Sequence, residues 1–194
     1  MPADRLLNSS NRRMTKPIAA KLENSLPIII AWVDQTVSDY AKVATRVSDC
    51  PFTLLNDHFA KDILDHSRVV VVPEVPFPRL SRLGLQEFHA METLLLDGVT
   101  YKDIFFVRDG RQSASLYFHE LVHIVQWARL GVNNFLLAYA AGLVDYGYER
   151  SPLERMAYQL QSGFDHRQVP SDLVKIIEKQ TDEIWSVVQP FFLV

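Results

Sequence analysis

The 194-residue chain holds a single cysteine, Cys50, so it has no internal disulfide framework and no thiolate cluster to bind a metal. Cys50 reads as a small apolar residue rather than a nucleophile. An excess of positive charge is also missing. The net charge is −3 and the isoelectric point about 6.1, and this argues against general nucleic-acid binding. Arg12, Arg13 and Lys16 sit in a polar start, residues 1–16, that reads as a flexible tail. Long hydrophobic runs are absent as well. The tail lacks the apolar core of a secretory signal. The cluster Pro27–Val33 stops at Asp34, far short of the ~20 residues that cross a bilayer. The expectation is therefore no membrane partner and a cytoplasmic location.

What is present suits an ordinary globular domain: 48% apolar and 22% charged residues, with no repeat and no low-complexity segment. One domain over residues 17–194 is the economical reading. Between Pro17 and Val47, Ile29, Val33, Val37, Tyr40 and Ala44 recur at helical steps, and Pro27 is expected to break the run in two. Arg68–Val72 is a β-branched run that predicts a strand buried on both faces, or nearly so. Leu85–Leu96 predicts a helix and Thr100–Val107 a second strand. Helices are expected over 133–146, over 151–161, and over 171–188 with Ser171-Asp172 as its cap.

The informative stretch is His119-Glu120-Leu121-Val122-His123. On a helix, positions i and i+4 share a face, so both imidazoles can address one metal ion. Glu120 lies about 100° around the axis, beside that ion, where a base acting on water must stand. Ser113 or Ser115 can cap this helix, and Gly131 can end it. Phe118, Leu121, Val122 and Val125 form its core-facing stripe.

A catalytic zinc site needs a third protein ligand, and without cysteines it must be His, Glu or Asp. Glu154, 31 residues past His123, is preferred: one helix leads away from the motif and a second brings the chain back across it. Ala157 is small enough to let those helices approach. Glu149 and then His166 are the other candidates. Ser151-Pro152-Leu153-Glu154 also reads as a capping box, in which Glu154 has a purely structural role. His58, His66 and His89 have no ligand spacing.

His119-Glu120-x-x-His123 with Glu154-x-x-Ala157 downstream resembles the gluzincin branch of the zinc metallopeptidases. Within it, the chain is similar to short bacterial zincin-like proteins that carry His-Glu-Leu-Val-His-x-x-Gln, then Pro-x-Glu-x-x-Ala-Tyr. The likeness covers residues 99–159, including Ile104-Phe105-Phe106, Gln126-Trp127 and Pro152-Leu153-Glu154. It implies a zincin-like α+β fold, mainly helical, with a small sheet packed on the motif helix. It implies zinc (Zn2+) held by His119, His123 and Glu154, Glu120 as general base, and a peptide or protein substrate. Tyr148 or Tyr158 would donate to the oxyanion, and the strand at Thr100–Val107 would receive the peptide by edge addition. One departure stands out. Thermolysin-like members often place an Asp four residues after the ligand Glu to orient a histidine, and here that position is Tyr158. This leaves room for a second reading, a non-catalytic zincin scaffold that binds another protein. A plain helical protein with a chance motif is a third.

Overall fold

The structure is a computed structural model and describes residues 14–192. About 64% of it is helical, with one small sheet, so the chain is α+β. In chain order the elements are α1 (Lys16–Tyr40), β1 (Thr45–Arg46), α2 (Lys61–His66), β2 (Arg68–Val72), β3 (Gly98–Tyr101), β4 (Ile104–Arg108), α3 (Ala114–Tyr146), α4 (Pro152–Asp165) and α5 (Leu173–Val188). Strand order is β1-β2-β4-β3. β2 and β4 run parallel, and the two edge pairs are antiparallel. No helix among the described residues is long and apolar enough to cross a membrane.

The sheet has alternating side chains, and both its faces are covered. Val69, Phe105 and Val107 pack with Phe118, Leu121 and Val122 of α3. Val70, Ile104 and Phe106 pack with Val33 of α1 and with Trp127 and Phe135 of α3. This makes β4 the most enclosed strand, and Ile104 to Val107 are wholly buried.

Several expectations give way to tertiary structure. Most of the tail expected over 1–16 lies outside the described residues. Its last three residues do not fray: Met14 is buried, its backbone N–H donates to Asp145 Oδ1 (2.6 Å), and Lys16 opens α1. Pro27 does not break α1. It sits on the exposed face, where water can take the place of the lost backbone bond. Val71 is half open to solvent, so β2 is not buried on both faces along its whole length. Residues 85–96 form two short 3-10 turns rather than a helix, with Leu94 and Leu95 exposed. Thr100–Val107 is not one strand but a hairpin, β3 and β4, turning at Lys102-Asp103, where Lys102 takes a left-handed φ of 59°. Asp97-Gly98 runs into β3 instead of forming a turn. α5 starts without a side-chain cap from Asp172.

α3 is two helical arms. Gly131 (φ 70°) interrupts it, as only glycine does cheaply, and the second arm runs on to Gly147. Over its central turns the first arm has no exposed side: every residue from Tyr117 to Trp127 is buried. Its apolar stripe faces the sheet, so His119, Glu120, His123 and Gln126 point into the protein rather than into water. Each then needs a polar partner inside the fold.

Candidate metal centre

Ser113 caps the motif arm, with its Oγ accepting from Leu116 N at 3.1 Å. Further along, the two imidazoles meet edge-on, their planes 70° apart, with Nε2 to Nε2 at 3.1 Å. Glu154 enters from the first turn of α4, with Oε2 3.3 Å from His119 Nε2 and 3.5 Å from His123 Nε2. His119, Glu120, His123 and Glu154 are only 3, 2, 4 and 2% exposed.

The hydrogen bonds decide which way the rings face. Asp165 Oδ2 accepts from Ser115 Oγ (3.0 Å), and Ser115 Oγ accepts from Gln161 Nε2 (2.9 Å). Gln161 therefore turns its amide oxygen to His119 Nδ1, at 3.0 Å. The chain ends on a carboxylate, which only accepts, so Nδ1 of His119 carries the proton. His123 is held the same way. Gln126 Nε2 donates to the Leu153 carbonyl (3.2 Å), leaving Gln126 Oε1 to accept from His123 Nδ1 at 2.8 Å. With both imidazoles neutral, the two Nε2 atoms are lone pairs, aimed at each other and at a carboxylate oxygen. Glu154 Oε2 is buried and has no hydrogen-bond donor among the described residues.

Three electron-rich atoms that converge in a dry place call for a cation. Tetrahedral ligands about 2.0–2.1 Å from zinc stand roughly 3.3 Å apart, and the three separations here are 3.1, 3.3 and 3.5 Å. The residues present therefore fit a divalent ion: His119, His123 and Glu154 form a buried group able to hold one. Without an ion, protons serve the same need. Burial works to lower the His123 pKa, but Glu154, aided by Glu120, overcomes it and pushes the imidazole up to about 9. Burial would raise the Glu154 pKa, yet the two histidines hold it well below the usual carboxylate range.

Glu120 points to the other side of the cavity. Thr100 Oγ1 donates to its Oε2 at 2.6 Å, and burial still raises its pKa above the ordinary value. Its Oε1 lies against the backbone of Gly98, where a Cβ would come within 2.2 Å. That glycine makes room for the carboxylate. The sheet edge here is β3, not β4. Asp97 O bonds across to Arg108 N, so by antiparallel alternation Gly98 and Thr100 turn their backbone groups outward. The outward carbonyl of Thr100 is taken by the Trp127 indole N–H at 3.1 Å, so an incoming strand cannot use it.

No family model matches the chain, and no curated protein or solved structure does either. What the site can do therefore rests on its own geometry.

Of the sequence-predicted residues, the structure brings His119, His123 and Glu154 into one cluster with Glu120 beside it. The capping-box role of Glu154 fails. Ser151 makes no side-chain cap bond, its Oγ has no partner among the described residues, and Glu154 faces the imidazoles. Glu149 and His166 do not join the cluster. Tyr148 lines the cavity with its phenol against that of Tyr158, and burial raises the pKa of both. Tyr158 is 40% exposed and packs its ring on that of His119 at 4.6 Å. It covers the imidazole from a position four residues past Glu154. Here Gln161 orients it, from one α4 turn further on.

Thr100, Gln161, Asp165 and Tyr139 were not legible as site residues. Gln126 and Gln161 each stand seven residues past a ligand, His119 and Glu154, on the same helix face. That spacing is the signal for them. Tyr139, at helical spacing from Phe135, carries no such signal.

Proposed function

We propose that the protein is a zincin-type zinc metallopeptidase of the gluzincin kind. The observation that carries this is the triangle of His119 Nε2, His123 Nε2 and Glu154 Oε2, sized for a tetrahedral ion and built from the donor set of a hydrolytic centre. When bound, zinc acidifies water and polarises a carbonyl. This chain's own residues do the rest. Glu120, beside the triangle and short of solvation, accepts a proton from the attacking water and returns it to the leaving amine. Thr100 holds the Glu120 carboxylate in place for that transfer. Gln161 and Gln126 keep both imidazoles in the Nδ1–H form, so that Nε2 stays free. Tyr148, on the cavity wall, offers its phenol proton to the developing oxyanion.

The test is Glu120→Gln, with metal content and peptide-library digestion measured together. We expect one zinc per chain in both proteins and a loss of hydrolysis of several hundredfold or more in the variant, on the order of the general-base contribution of 10²–10⁴. Equal activity would remove Glu120 from the reaction, and absence of stoichiometric zinc would remove the metal reading.

One observation favours a second reading, a zincin scaffold that binds a protein without cleaving it. The cavity at the centre measures about 20 Å³, room for roughly one water. A peptide reaches the centre only if the residues lining this cavity move apart. A zinc-loaded protein inert towards every peptide offered would favour the scaffold.

A further inference from the structure

Glu154 has two oxygens, and the fold treats them differently. Oε2 faces the imidazoles. Oε1 accepts a hydrogen bond of 2.6 Å from the hydroxyl of Tyr139. Tyr139 stands on the second arm of α3, beyond the break at Gly131, and is not part of the motif.

Its position is braced by a stack that bridges the break. The Tyr139 ring lies nearly parallel to Phe135 (5.7 Å, 16°), and Phe135 lies on Trp127 (4.0 Å, 19°). Trp127 donates to the Thr100 carbonyl, and Thr100 Oγ1 donates to Glu120. A continuous line of contacts thus runs from Glu120, the acid beside the cluster, to Glu154, the acid within it.

We infer, building on the zinc reading above, that Tyr139 is a positioning residue that reserves Oε1 of Glu154. A divalent ion then meets only Oε2. A carboxylate free to swing can give both oxygens to a metal, and that adds a fourth protein donor where a catalytic zinc site keeps a position open. With Oε1 held by Tyr139, the protein donors left to an ion would be His119 Nε2, His123 Nε2 and Glu154 Oε2. The Trp127–Phe135–Tyr139 stack gives this bond its fixed direction, so the openness of the site depends on an arm of α3 that carries no ligand.

The experiment uses the full chain loaded with cobalt(II), whose visible spectrum reports coordination number, in the wild type and in Tyr139→Phe. The variant keeps the ring and its stacking and loses only the hydroxyl. We expect intense four-coordinate bands in the wild type and weaker five-coordinate bands in the variant. Zinc affinity should fall about tenfold or more, as for other partners that orient a ligand. Superimposable spectra with equal affinity would overturn the role of Tyr139 while leaving the zinc site standing. A wild-type chain that takes up neither cobalt nor zinc would overturn the zinc reading, and this inference with it. A crystal structure of the zinc-loaded wild type settles the point without a variant. A single Glu154 oxygen at about 2.0–2.2 Å from the ion supports the inference, and two at bonding distance overturn it.

Discussion

At the scale of single residues, the centre is a contest between protons and a metal for the same lone pairs. His123 carries a proton up to about pH 9 in the metal-free protein, because Glu154 outweighs the effect of burial. Zinc needs that imidazole neutral. Zinc uptake at pH 7 should therefore release a proton from the centre, and the apparent affinity should rise with pH until it levels off near 9. Titration calorimetry in buffers of different ionisation enthalpy measures the proton directly; heats that do not depend on the buffer would contradict the shift. The same group sets a stability trend in the metal-free chain. Its folded pKa of about 9 lies above the ordinary 6.5, so its contribution is complete below about pH 6.5 and fades as pH rises through 9. The melting temperature of the metal-free protein should fall across that window. The zinc-loaded protein, in which His123 keeps only its Nδ1 proton and Nε2 faces the metal, should not show this fall.

At the scale of elements, the centre is the crossing of α3 and α4. Its two histidines lie on one helix and its acid on the other. Gly142, on the second arm of α3, sets how closely they approach. A Cβ there would meet Ser151 Oγ at 2.4 Å and Pro152 Cδ at 3.0 Å. Ser151 is buried and Pro152 is rigid, so the start of α4 must shift as a body. Gly142→Ala should destabilise the fold by about 1–3 kcal/mol, as overpacking does, and weaken zinc binding by moving Glu154 two residues further on. Chemical denaturation and a zinc titration check both parts. An alanine variant that binds zinc as the wild type does would show that α4 is not seated by this contact.

For the whole molecule, an ion held by His119, His123 and Glu154 would tie the motif arm, which is packed on the sheet, to α4. Ligands that bind only the folded state stabilise by mass action, about 2.7 kcal/mol at a hundred times the dissociation constant. For a chain of 194 residues that is roughly 5–10 °C in melting temperature. Scanning fluorimetry with zinc and then with a chelator should show a reversible shift of this size. Equal midpoints would show that the cluster holds no ion under those conditions.

How much of this was written in the sequence differs by kind of feature. Regular periodicity was legible. The motif helix, the helix from 133 and the later helices all appear, because burying one face fixes a period of 3.6 residues. The paired imidazoles were equally legible, since i and i+4 are neighbours on any helix. The weaker signals misled. Leu85–Leu96 has apolar residues at helical spacing but lies in a segment pinned by contacts from elsewhere: Glu92 accepts from both Ser81 N and Ser81 Oγ, and the chain closes into 3-10 turns. Thr100–Val107 has continuous strand propensity, and propensity does not show where a chain doubles back.

By itself, then, the sequence determined the local geometry: two histidines on one helical face, an acid beside them, and a break at Gly131. Only the tertiary structure decided between the two roles open to Glu154, turning it from a helix cap into the third member of a buried cluster. It also supplied the partners that give the cluster its chemistry, Gln161 through Ser115 and Asp165, Thr100 from the sheet edge, and Tyr139 from beyond a break in its helix. The reason is one of range. A helix fixes its own neighbours within a turn or two, whereas the protonation and aim of a buried polar group depend on whichever groups the fold presses against it.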